Sequence, residues 1–277
     1  RLSTSHCPAP SRAPDCHSVD QSRCHTHQPT KARLMRIMAT MRQRGLCAVL
    51  VGAFKLHSYN SLMRTVISLA LFALSLLVFA IWPGLDLTVS NWFYDPTLGF
   101  HLKNQVWAVR LYDVFGQIHW VILGGLLTIL FFPQWLMTAL RGPLRNRAAY
   151  LLIAMLLGPG LAVNSGFKEH WGRARPHQVQ EFGGPQTYSP ALQPAQACEG
   201  NCSFVSGHAA MGFFVVSVYF ITRRRRWLVA GVLTGSVVGL ARIVQGDHFL
   251  SDVVFAFWTV WFVSWAIAFL MGLRPRS

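Results

Sequence analysis

Six uninterrupted apolar runs, at residues 65–82, 118–140, 148–167, 207–222, 227–244 and 252–272, set the terms on which this chain can fold. Each is close to the roughly 20 residues a helix needs to cross the hydrocarbon layer of a bilayer. The fourth and fifth are the tightest. Composition agrees: 52% of residues are hydrophobic and only 13% are charged, against about 25% charged in an average soluble domain. Mean hydropathy is +0.35. A disordered chain, a collagen-like chain and an ordinary soluble domain are all excluded. The expected fold is all-α, a polytopic membrane protein with six transmembrane helices and no internal repeat. The apolar stretch 46–54 is too short to span and stays unassigned.

The charges locate the two sides of that bundle. Lys and Arg number 25 against 10 Asp and Glu, a net charge of +15. Arg64 precedes the first run; Arg141, Arg145 and Arg147 lie between the second and third; Arg223, Arg224, Arg225 and Arg226 lie between the fourth and fifth; Arg274 and Arg276 follow the sixth. With six crossings all of these fall on one side. The positive-inside rule makes that side cytoplasmic and puts both termini there. The four-arginine run therefore reads as a topology signal, and no nucleic-acid partner is expected. Trp82, Trp92, Tyr94, Trp107 and Tyr112 gather in the first outer link and read as an aromatic belt at the interface. Residues 1–60 read as a separate segment, a disordered or adventitious N-terminal extension, and 61–277 as the membrane domain. Residues 1–34 are rich in Ser, His, Pro, Arg and Cys and hold too few large aliphatics to build a core. Their Cys and His spacings match no common zinc module.

The outer links, 83–117, 168–206 and 245–251, collect the unusual polar groups. Lys168, Arg173 and Arg175 follow the third run; Ser206, Gly207 and His208 open the fourth; Arg242 ends the fifth; His248 and Asp252 bracket the start of the sixth. Ionisable groups at the hydrocarbon boundary are functional candidates by default. Arg173 taken alone is equally well read as reaching to lipid headgroups. Lys168, Arg175 and Arg242 together suit one dianionic phosphate, since guanidinium forks match phosphate oxygens. Ser206 and Gly207 stand at a helix N-terminus, where free N–H groups favour an anion. His248 and Asp252, four apart on a helix, share a face. A carboxylate on one imidazole nitrogen makes the other a better nucleophile, and His208 can supply a proton to the leaving group. The set reads as phosphoryl transfer through histidine, with no metal and no cofactor required. Three nearby cations disfavour zinc. A non-catalytic six-span protein that binds or transports lipid phosphates would need the cations alone.

Three stretches in this order resemble a known set of signatures. Lys168 to Pro176 reads lysine, six residues, Arg-Pro; residues 205–208 read VSGH; residues 242–252 read Arg, five residues, His, three residues, Asp. They are similar to the motifs of the type 2 phosphatidic acid phosphatase superfamily, K-x6-RP, PSGH and SR-x5-H-x3-D. Val205 replaces the usual Pro and Ala241 the usual Ser. The resemblance implies a six-helix core shared with soluble vanadate-dependent haloperoxidases, a branch the apolar runs argue against. It implies His248 as nucleophile, Asp252 as its orienter, His208 as acid and later base, and Lys168, Arg175, Arg242, Ser206 and Gly207 as the phosphate cradle. The stretches around WGRARP and NCSFVSGH look like bacterial lipid phosphatases of the inner membrane, lipid A phosphatases among them. The expected substrate is a phospholipid, lipid A or polyprenyl phosphate met on the periplasmic face. Cys198 and Cys202 lie in that oxidising compartment. A short-loop disulfide is the favoured reading, with free thiols or a metal site as alternatives.

Overall fold

The computed structural model describes residues 62–131 and 142–273. The chain divides into two units, and the first, residues 1–66, lies almost wholly outside the described segments, as does the expected N-terminal extension. The second unit, residues 67–277, carries the bundle. The described chain is helical. Among the described residues five helices are long and apolar enough to cross a membrane: α1 Leu62–Ile81, α3 Val106–Phe131, α4 Pro143–His170, α6 Arg225–Val244 and α7 Leu250–Leu270. Between α1 and α3 lies a short helix, α2 Leu85–Asn91. The fourth expected span is a shorter apolar helix, α5 Gly207–Thr222, tightened to a 3₁₀ turn at Phe214–Val216.

The second span differs from expectation. Its helix begins at Val106 instead of 118, and residues 132–140 lie outside the described segments. The cause is legible in α3 itself. Its first twelve residues carry Arg110, Asp113 and Gln117, which break the apolar pattern without breaking the helix. Trp107 and Tyr112 therefore stand on α3, not in an interfacial link, and Tyr94 packs on Phe100 and Phe182. Trp82 and Trp92 are 63% and 69% exposed.

Two features bring the helix ends together. In α4 the hydrogen bonding widens over Leu156–Phe167, around Pro159, whose missing N–H cannot serve a regular turn. The widened stretch runs directly into Lys168. In α6, Gly231, Gly235 and Gly239 recur every fourth residue and form one bare face. A Cβ on Gly235 would sit 2.1 Å from Phe213 of α5, and one on Gly239 would sit 2.3 Å from Val253 of α7. The missing side chains let α5 and α7 seat against α6, the small-residue packing that membrane helices favour. Deeper in the bundle, Tyr150 of α4 donates to the carbonyls of Ser217 and Ser264, and those two serine hydroxyls are 2.8 Å apart. By contrast α1 and α3 turn Leu69, Leu74, Ile81, Val121 and Phe131 outward, each at least half exposed.

Candidate active site

The end of α4, the start of α5, the end of α6 and the start of α7 converge at one end of the bundle. Asp252, in the first turn of α7, has no exposure. Its Oδ2 accepts the Phe249 N–H at 2.8 Å and the Ser203 hydroxyl. Its Oδ1 accepts from Arg173 at 2.7 Å. His248 Nδ1 lies 3.4 Å from Oδ2 and is buried without a well-formed hydrogen bond.

Arg173 is the centre of this arrangement and is wholly buried. Its guanidinium spans two carboxylates, Asp252 on one side and Asp86 of α2 on the other at 2.8 Å. It also donates to the Ser251 hydroxyl and to the Ser189 carbonyl, and it lies 4.2 Å from the centroid of the Phe249 ring. Asp86 in turn accepts from the Ser251 N–H at 2.8 Å. Arg173 is thus no lipid-headgroup contact. A planar fork with fixed donors can hold two carboxylates at once, which an ammonium cannot do with the same geometry. The result is a continuous chain, Asp86–Arg173–Asp252–His248, that fixes the histidine from behind.

The cations stand in front. Arg242 is 4% exposed and Lys168 7%. Lys168 Nζ donates to Asn201 Oδ1 at 2.8 Å, and Arg175 donates to the Asn201 carbonyl at 2.9 Å. Arg242 pairs with Asp247 at 2.8 Å, and its guanidinium lies 4.6 Å from the Tyr112 centroid. His208 stacks on the same ring at 4.7 Å. Ser206 is the N-cap of α5, its hydroxyl accepting from the Ala209 N–H, and its own N–H is taken by the Asp252 carbonyl. The first-turn N–H groups of Gly207 and His208 are the ones left to face an anion. A Cβ on Gly207 would lie 2.8 Å from Asn164 Oδ1 and 3.4 Å from Lys168 Cε, so glycine is what lets lysine and helix end approach. Cys198 and Cys202 are bonded, with Cα atoms 5.7 Å apart, and the ring they close presents Asn201 to the cations.

Burial holds the His248 imidazole down to a pKa of about 4; Asp252 pulls it up, while the Lys168 and Arg242 charges push it down. An imidazole so held is neutral at physiological pH. Burial pushes the Asp247 carboxyl up, but its contact with His177 and the Arg242 and Arg175 charges together hold it well below the usual range.

Comparison with known proteins decides the family. The profile of the PAP2 superfamily matches residues 147–275. A lipid A 4'-phosphatase of Francisella tularensis subsp. novicida is 34% identical over 208 residues, covering 70% of this chain and 89% of that protein. The chain belongs to the PAP2 superfamily. Lipid A 4'-phosphatases of Rhizobium leguminosarum and Rhizobium etli are 44% and 45% identical over shorter stretches, 39% and 36% of this chain and 49% and 40% of those proteins. No solved structure matches. As a PAP2 protein with these apolar helices the chain is a membrane phosphatase.

All eight candidate site residues named from the sequence lie at this end of the bundle, linked by the contacts above. Sequence reasoning missed Asp86, Tyr112, Asn201, Ser203 and Asp247. Asp86 carried one signal, a lone acid in the apolar stretch LDLTVSNWF of a chain poor in acids. The two motif departures, Val205 and Ala241, are wholly buried and carry no proton or charge.

Proposed function

We propose that the chain removes a phosphate monoester from a lipid headgroup through a phosphohistidine at His248. Its relatives named as lipid A 4'-phosphatases make a lipid A-type headgroup the first substrate to try. Phosphatidylglycerophosphate and polyprenyl diphosphate come after it. The observation that carries the reading is the buried His248–Asp252 pair, anchored by Arg173, within reach of the Lys168 and Arg242 charges. Lys168, Arg175 and Arg242, with the α5 N-terminus, take the phosphoryl oxygens and spread their charge. The free nitrogen of His248 attacks phosphorus while Asp252 stabilises the imidazolium that forms. His208, beside the cradle on Tyr112, gives a proton to the departing oxygen and later takes one from the water that cleaves the phosphohistidine. No metal is required, because protein cations supply the charge. A lipid substrate keeps its tail in the bilayer while its phosphate reaches the helix ends.

The site lies at the end of α4 opposite Arg145 and Arg147. By the positive-inside rule that end is periplasmic and the termini cytoplasmic, in the inner membrane of a bacterium. The test is phosphate release from the three lipids by protein in detergent, with and without EDTA, repeated on sealed membrane vesicles of known orientation. Turnover of the lipid A substrate, unchanged by EDTA and confined to the periplasmic face, is expected. Loss in EDTA restored by one divalent ion, or no turnover of any lipid, would refute the reading.

A further inference from the structure

Asp247 stands immediately before His248 and sits among the groups that must grip the phosphate. Its Oδ2 is 2.8 Å from Arg242 and its Oδ1 is 3.5 Å from Arg175. His177 Nδ1 lies 3.3 Å from the same Oδ1. The Asp247 N–H donates to the Arg242 carbonyl at 3.1 Å, so backbone and side chain are tied to the same arginine. Further donors of the cradle are also engaged. Gln245 accepts from Arg242, and Asn201 accepts from both Lys168 and Arg175. Arg242 Nε alone of that guanidinium is buried with no partner.

An anion approaching this site meets guanidinium donors that already hold a carboxylate. Two anions on the same donors repel, and charge-assisted bonds to Asp247 must be exchanged for bonds to phosphate. Three cations and one carboxylate leave the cradle with a net charge that matches a phosphomonoester dianion. Without the carboxylate the cradle would be over-charged and would hold inorganic phosphate, the second product, more tightly. Resting on the phosphatase reading above, we propose that Asp247 is an internal stand-in for phosphate. It keeps Arg242 and Arg175 in place while the site is empty, yields them to the substrate, and reclaims them as inorganic phosphate leaves. It is a positioning residue that acts through the two arginines and sets the site's affinity for phosphate.

Carbonyl and amide acceptors such as Asn201 do not do this, because they carry no charge to repel the ligand. A merely structural Asp247 would do the opposite: removing it would loosen the arginines and weaken anion binding. The sign of the change therefore separates the two roles.

The experiment uses the full chain in detergent and inorganic phosphate and vanadate as probes, read by calorimetry and by inhibition of turnover. Asp247→Asn and Asp247→Ser are compared with Asp247→Glu, which keeps the charge. Exchanging one charge-assisted bond corresponds to about 10- to 100-fold in affinity. Both neutral variants are expected to bind phosphate and vanadate tighter by that factor. Their KM should fall, and kcat should fall with it as phosphate release slows; Asp247→Glu should stay near wild type. Unchanged or weaker binding in a neutral variant that elutes as a single species would overturn the proposal. Calorimetry needs no turnover, so a variant that has lost activity still reports. If neither the wild type nor the variants bind either probe, the phosphate cradle itself is wrong and the proposal falls with it. A wild type that binds both probes but cleaves no lipid would count against the substrate reading alone.

Discussion

In the proposed mechanism much rests on Arg173, a wholly buried side chain that anchors Asp252 behind His248. Breaking a buried ion pair from one side leaves an uncompensated charge and costs about 3–5 kcal/mol. Arg173→Ala strands Asp86 and Asp252 together, and its melting temperature in detergent should fall by several degrees. Arg173→Lys keeps the charge but not the fork. It should melt nearer to wild type while kcat drops by about 10²-fold, toward the 10²–10⁴-fold range of lost acid–base support. A lysine variant with full activity would show that the guanidinium geometry is irrelevant. His248 carries the pH prediction. With its pKa held down to about 4, the imidazole is neutral above that value and protonated below it. On a substrate corrected for its own second ionisation, near about pH 6, kcat/KM should hold as pH falls through 6 and 5. It should decline only around 4. An acid limb centred at 6 or above would mean that His248 is exposed to water in the free enzyme.

At the scale of elements, the sequence made the apolar helices legible because length and hydropathy report a bilayer directly. It misplaced the start of α3 by twelve residues, because Arg110, Asp113 and Gln117 look like a link although they extend a helix. The motif residues were legible because their spacing follows helix ends. Asp86 and Asn201 were not, since each reaches the site from a different link and only tertiary packing brings it there. The Cys198–Cys202 ring is the clearest case. Asn201 inside the ring holds both Lys168 and Arg175. Reduction should therefore raise KM for the lipid several-fold while leaving kcat within about twofold, since each neutral hydrogen bond is worth about 0.5–1.5 kcal/mol. Kinetics with and without reductant, with thiols counted by alkylation, check this; an unchanged KM in fully reduced protein would contradict it.

For the whole molecule, the bundle works by ending four helices at one level. The glycine face of α6 sets α5 and α7 close enough for His208, Arg242 and Asp252 to belong to one site, and α4 delivers Lys168 to it. Lipid-facing α1 and α3 contribute apolar surface, with α3 adding Tyr112 beside His208. One chemical claim is central, that phosphorus passes through His248. His248 alone of the two histidines has a carboxylate behind it, and His208 lies against an aromatic ring at a helix start. The most direct test is to quench turnover of a labelled substrate and map acid-labile phosphate by peptide. The label should sit on His248 and vanish in His248→Ala, while His208→Ala should still form it with a good leaving group such as nitrophenolate. Label on His208, or label persisting in His248→Ala, would contradict that claim.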